Sequence, residues 1–340
     1  MPTFDRNEFP EEESPSQDSA IPAIDAMSGV VTFEFYDMAS GQTFRYEVER
    51  AELARASRAV SPRPDRSAVK GERVSEDAIR REQDESKSWS NGKDNRTRRA
   101  IADGYADTDK IYQRLADYGG CSATVLSATR TRMVALTAAH CVFLGSGSVS
   151  NSKVRPRRNG TVSPTWGSWS VISYSYFGAF LEKGCDDNYE AACFALDIAL
   201  VVASPDSDAT PPMGMGWGYG NETYLNGVDK YRRGYPDCSS PHSPSSCSSN
   251  TLYGDGAMSV GGFWDQDADG WHQHLRHSSD TNPGDSGSGL YFYEDGFPYV
   301  FAVNTSEPGY CNKDCFTEDR PNRARTITPQ WFDFINSVVD

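Results

Sequence analysis

Leu136-Thr137-Ala138-Ala139-His140-Cys141, Leu196-Asp197-Ile198-Ala199-Leu200 and Pro283-Gly284-Asp285-Ser286-Gly287-Ser288-Gly289 are the three stretches that decide how this chain folds. Each has an ordinary explanation when taken singly. A histidine behind an apolar run is more often a satisfied core residue, and a serine among glycines is usually a turn. Asp197 lies among apolar side chains, where a carboxylate is expensive to bury without a partner. Together the three hold the parts of an activated nucleophile. A serine hydroxyl needs a base within hydrogen-bond reach and a third group to orient that base. Glycines around Ser286 let backbone N–H groups converge on a developing oxyanion.

These motifs resemble the trypsin/chymotrypsin superfamily of serine endopeptidases, in which the chain order is also His, Asp, Ser. His140 is followed at once by Cys141, with Cys121 upstream, as in that family's His-loop disulfide. The spacings, 57 residues from His140 to Asp197 and 89 from Asp197 to Ser286, suit two members in a first barrel and the serine in a second. The likeness covers about residues 100–340. It implies Ser286 as nucleophile, His140 as general base and acid, Asp197 as its orienter, and the N–H groups of Gly284 and Ser286 as the oxyanion hole. The implied fold is all-β: two antiparallel six-stranded β-barrels, chymotrypsin-like, with a C-terminal helix and a largely disordered N-terminal extension. Its boundaries are 1–99 for the extension, 100–205 and 206–325 for the barrels, and 326–340 for the helix. An esterase of the α/β-hydrolase type needs the order Ser, acid, His, which this chain lacks. A non-catalytic homologue that binds a partner through its cleft is the rival reading, disfavoured by the intact triad.

Specificity residues follow from the same likeness. Asp280 lies six residues before Ser286, where trypsin carries its pocket acid, and this leans toward cleavage after Arg or Lys. Asp280-Thr281 and the Gly-x-Ser-Gly-Ser run also resemble bacterial glutamyl endopeptidases. Those enzymes carry a histidine on the strand after the nucleophile, where this chain has Ala302-Val303-Asn304-Thr305. Thr281, Asn304 and Thr305 are accordingly expected to line the pocket beside Asp280.

Outward from these motifs, the 340 residues carry 33 basic and 48 acidic side chains, net -15. So acidic a chain excludes a dedicated nucleic-acid binder, which needs a Lys/Arg excess, and disfavours binding to anionic lipid. No run approaches a membrane span. The expected partner is a protein or peptide substrate, acted on by a monomer without metal or cofactor.

All eight cysteines lie between Cys121 and Cys315. Their spacing suggests four local pairs, Cys121–Cys141, Cys185–Cys193, Cys238–Cys247 and Cys311–Cys315. Such bridges persist in an oxidising compartment, so a secreted protein is expected, its signal peptide absent from this chain. The first hundred residues contain no cysteine. Residues 1–28 read as disordered. Alternation from Val30 to Glu49 predicts a β-hairpin, with a short helix possible over Glu49–Arg58. Pro62–Arg99 has linker composition. Arg99-Ala100-Ile101 then sits before the β-rich part. In trypsin-like zymogens a cut there frees an N-terminal ammonium that pairs with the Asp before the nucleophile, here Asp285. Residues 1–99 are thus expected to be a propeptide, the alternative being a solvated dibasic linker that is never cut.

Strands are predicted near Met133–Leu136, Ser168–Tyr176, Phe194–Val202, Gly289–Tyr293 and Tyr299–Val303, with a crossing between halves around 203–212. Thr328-Pro329 followed by Trp331, Phe332, Ile335 and Val338 predicts a helix with Thr328 as N-cap. Asp265–Gly270 resembles half a calcium loop, but Arg276 stands where the closing Glu belongs, and a surface turn is favoured. His272, His274 and His277 read as a solvent-facing strand rather than a zinc site.

Overall fold

The computed structural model describes residues 30–37, 40, 42–49, 72–83, 97–99, 110–143, 152–158, 166–186, 193–206, 209–219, 222–237, 250–254, 258–265, 273–277, 279, 281, 283–306 and 322–339. Apolar and β-branched runs punctuated by turn residues build seventeen strands among the described residues. The first sheet contains β1 (Val30–Asp37), β2 (Gln42–Glu49), β4 (Leu115–Tyr118), β5 (Cys121–Ala128), β6 (Met133–Thr137), β7 (Lys153–Pro156), β8 (Trp169–Phe177) and β9 (Ala199–Pro205). Its order is β2-β1-β8-β7-β4-β5-β6-β9, and a β8–β9 ladder closes β8, β7, β4, β5, β6 and β9 into a six-stranded barrel.

The second sheet is antiparallel, with β3 (Thr97–Arg99) at one end of the order β13-β14-β17-β16-β15-β11-β12-β3. Its other strands are β11 (Lys230–Gly234), β12 (Leu252–Gly254), β13 (Val260–Asp265), β14 (Gln273–His277), β15 (Gly289–Glu294), β16 (Phe297–Ser306) and β17 (Asn322–Thr326), with β10 (Gly216–Trp217) parallel to β16. It curls back on itself through a bridge from Met258, just before β13, to Lys230 in β11. Two cores follow from this arrangement. One fills the first barrel and continues under the C-terminal helix through Trp217, Ile327, Trp331 and Ile335. The other, with Leu275, Leu290, Phe292, Phe301 and Ala324, belongs to the second sheet.

Among the described residues the helices are α1 (Glu76–Gln83), α2 (Ala139–Val142), α3 (Gly178–Glu182), α4 (Glu222–Asn226) and α5 (Pro329–Val339). In α5 the spacing of three and four puts Trp331 against Phe177, edge to face at 5.0 Å, and Phe332 against Tyr219. Thr328 begins the helix with its carbonyl, which accepts from Phe332 N–H. Its buried hydroxyl has no partner among the described residues, so the side-chain cap expected there is not made.

Residues before 100 are more structured than their composition suggests. The hairpin β1–β2 forms as expected, with Phe35 opposite Phe44, and continues the barrel, with Phe33–Asp37 pairing with Phe177–Ser173. The face it turns inward is the polar one. Glu34 is buried, accepting from Tyr176 O–H at 2.6 Å and from Arg45 Nε at 2.8 Å, and Tyr36 stacks on Tyr174. Phe35 and Phe44 point outward together. The stretch read as linker holds α1, anchored by buried Val74 and Ala78 and by a Val74 N–H bond to the Gly296 carbonyl. Ile79 packs against the same core, and the Arg73 guanidinium lies over the Phe297 ring. The helix considered over Glu49–Arg58 lies, beyond Glu49, outside the described residues.

The other strand expectations hold except at Phe194–Val202. There the strand begins only at Ala199, because residues 193–198 turn on themselves through Leu196 N–H to Cys193 O and Ile198 N–H to Leu196 O. His274 and His277 on β14 are buried, not solvent-facing. His272 and the 266–270 turn lie outside the described residues.

Candidate active site

The apolar strand β6 delivers the chain to Ala138, still extended, and then to the single turn α2, which carries His140. The disulfide Cys121–Cys141, Cα atoms 6.1 Å apart, pins that turn to the start of β5. Asp197 sits in the turning segment before β9 and is fully buried. Its carboxylate is matched on both oxygens by one residue: His140 N–H donates to Oδ1 at 2.8 Å, and Nδ1 lies 2.7 Å from Oδ2. Backbone and ring are thus fixed together, which offsets the cost of burying the carboxylate. A proton on Nδ1 leaves Nε2 as the acceptor. The side chain of His140 is 22% exposed, and its Nε2 lies 3.6 Å from Cys141 Sγ.

Ser286 lies in the loop between β14 and β15, and this loop is tied to the same disulfide frame. Its carbonyl accepts from Ser122 N–H at 2.7 Å, and Ser122 O–H donates to Gly284 O at 2.8 Å. Ser122 follows Cys121, whose partner Cys141 follows His140. Gly287 has φ +84, and a Cβ there would stand 2.1 Å from Ser122 O and 2.2 Å from Thr137 Oγ1. Only glycine lets the nucleophile loop lie so close to the strand that leads into α2. Among the described residues the N–H groups of Gly284 and Ser286 are unengaged, whereas Gly287 N–H is taken by Asn304 O and Ser288 N–H by Asp285 O. The Ser286 hydroxyl likewise has no hydrogen-bond partner among them, so the Ser–His bond is not made in this conformation.

Asp285, expected to receive a new N-terminus, is fully buried beside Arg232, whose Nη1 is 3.0 Å from Oδ1. Arg99 lies in β3 opposite Leu252 of β12, while Ala100 and Ile101 are outside the described residues. Asp280 is outside them as well. Thr281, Asn304 and Thr305 are buried, and Asn304 Oδ1 lies 3.0 Å from His277 Nε2. Burial first, then the field of Arg232, holds the His277 imidazole down to about 3. Burial, followed by Arg323, Arg325 and Arg276, does the same for His274. Both rings are neutral at pH 7.

Cys185–Cys193 forms as expected, whereas Cys238, Cys247, Cys311 and Cys315 lie outside the described residues. Cys121, His140 and Cys141 bring two sulfurs and a ring nitrogen within 4.8 Å of one another. The sulfurs are spent in a disulfide and are not thiolate ligands. No described helix is long and apolar enough to cross a membrane.

The fold is chymotrypsin-like. It stands on the closed six-strand barrel, the second antiparallel sheet and the C-terminal helix. No family model matches the chain, and no curated protein does. Among solved structures, one described as a Glu endopeptidase in complex with MPD aligns at 18% identity over 72% of this chain and 96% of its own, TM-score 0.45. The protease Anisep from Arthrobacter nicotinovorans aligns at 16% identity over 64% of this chain and 90% of its own, TM-score 0.41.

Two residues that sequence reasoning passed over, Ser122 and Arg232, shape the site, as does His277, which it placed on a solvent-facing strand. Ser122 had no motif to mark it. Arg232 and His277 sit in strands with a half-polar pattern, and only the fold shows that both turn inward.

Proposed function

We propose that the chain is a secreted serine endopeptidase, hydrolysing peptide bonds through Ser286, His140 and Asp197 by way of an acyl-enzyme. The observation that carries this reading is the two-point grip of Asp197 on His140, with the Ser286 loop anchored to the same disulfide frame. Catalytic hydrogen bonds often tighten only on substrate binding, and the Ser–His contact is assigned to that complex. The imidazole then takes the hydroxyl proton and returns it to the leaving amine, while the N–H groups of Gly284 and Ser286 receive the oxyanion. The disulfides fit an extracellular setting.

For the residue before the scissile bond, Asp280 supports Arg or Lys. A second reading rests on its own observation. The Thr281 hydroxyl and the Asn304 amide nitrogen are buried donors without partners among the described residues. Such donors suit a side chain that brings acceptors, as glutamate does. The test is labelling by a fluorophosphonate, with Ser286→Ala as control, followed by mass-spectrometric mapping of cleaved peptide libraries. Stoichiometric label on Ser286 and a single preferred side chain are expected. A chain that takes no label is instead a binding module.

A further inference from the structure

We infer that Arg232 is the built-in cation that holds the oxyanion loop in its working shape, so that the chain is active without a cut after Arg99. This inference rests on the proposed endopeptidase reading.

A buried carboxylate next to the nucleophile needs a positive partner. In this chain that partner comes from strand β11. Arg232 and Asp285 are both fully buried, with Nη1 3.0 Å from Oδ1. The guanidinium is itself locked: Nε donates to Ser279 Oγ at 2.7 Å, and Nη1 reaches Ser288 Oγ at 3.4 Å. Ser279 and Ser288 flank the nucleophile loop in sequence, so one side chain braces it before and after Ser286. Gly234 leaves room for the pair, since a Cβ there would stand 2.4 Å from Asp285 Oδ1 and 3.0 Å from Arg232 Nη1. The site that a freed ammonium would need is therefore filled by a residue present in the uncut chain. Residues 97–99 meanwhile are laddered onto β12. Arg232 touches no reacting atom in this scheme. It is a positioning residue acting through Asp285 on the Gly284 and Ser286 N–H groups.

The test compares the full chain carrying Arg98→Gln and Arg99→Gln, its intact mass verified, with wild type cut at Arg99. The uncut variant should take a fluorophosphonate label on Ser286 within about twofold of the cut enzyme's rate. In a second arm, Arg232→Met should lower kcat at least a hundredfold and weaken binding of a peptide trifluoromethyl ketone, which mimics the tetrahedral oxyanion, far more than that of a product peptide. Arg232→Lys should restore part of both. Label appearing only after the cut, or an Arg232→Met enzyme as fast as wild type, overturns the inference. If wild type, cut and uncut, takes no label, the endopeptidase reading itself fails and the inference falls with it.

Discussion

Replacing His277 with glutamine tests the electrostatics beneath the nucleophile loop. The folded chain keeps this imidazole neutral down to about pH 3, because it is buried and faces Arg232, while Asn304 and the Arg323 backbone partly compensate. An unfolded histidine takes up its proton near pH 6.5. Above that value neither state binds the proton and nothing is at stake. Below it the unfolded chain binds a proton that the folded chain refuses, so stability falls with acidification until about pH 3. From pH 7 to pH 5 the loss is about 2 kcal/mol for one such group. His274, held down in the same way by Arg323, Arg325 and Arg276, adds about as much again. That sum is a large part of the ordinary stability of a domain. This pH window is chosen because most carboxylates stay ionised across it. Glutamine retains an N–H for Asn304 Oδ1 but cannot titrate. Urea unfolding followed by tryptophan fluorescence at both pH values should show His277→Gln losing about 2 kcal/mol less than wild type, and the double variant with His274→Gln about 4 kcal/mol less. If the variants lose as much as wild type, the folded protein protonates these rings freely, and the picture of two neutral buried imidazoles is wrong.

Asp197→Asn should lower kcat about 10^4-fold with little change in KM, since the amide cannot hold the imidazole in the Nδ1–H form; steady-state hydrolysis of a good peptide substrate reads this. Gly287→Ala forces a Cβ against Ser122 O, a backbone atom with nowhere to go, at a positive φ. It should cost at least about 2 kcal/mol and abolish labelling of Ser286, as followed by thermal unfolding and mass spectrometry. Replacing Cys121 and Cys141 with serine opens a 20-residue loop, at a cost of about 3 kcal/mol in the chain-entropy model. Since this bridge also pins α2, kcat should fall with Tm. Glu34→Gln should weaken the grip on Tyr176 and Arg45 by about 1–3 kcal/mol, making the hairpin the first target in limited proteolysis.

Much of this arrangement was legible in the residues themselves. The strands around β6, β8, β15 and β16 announced themselves through apolar runs between turn residues, and α5 through its Thr-Pro start and its spacing. The need of a buried carboxylate for a partner marked Asp197, and the likeness to serine endopeptidases supplied His140 as that partner. What stayed hidden has a common cause. Arg232, His277 and Glu34 are polar residues buried by tertiary neighbours, and local sequence gives no sign of a partner that is distant along the chain. Glu34 shows this most plainly, since alternation marked two faces of β1 and the one that turned inward carries the carboxylate. The segment around α1 misled for a related reason. Val74 and Ala78 are too few to register in composition, yet they reach a core built by other strands.

The hairpin shares a ladder with β8, and residues 97–99 share one with β12, so each sheet holds a piece of the first hundred residues by main-chain bonds. Scission and departure are therefore separate events for this chain. A protease that severed the backbone near residue 100 would yield two fragments on a denaturing gel and one particle on a sizing column. Shedding the front piece would require unzipping paired edges in both sheets, a slow step that could set the lifetime of the nicked form.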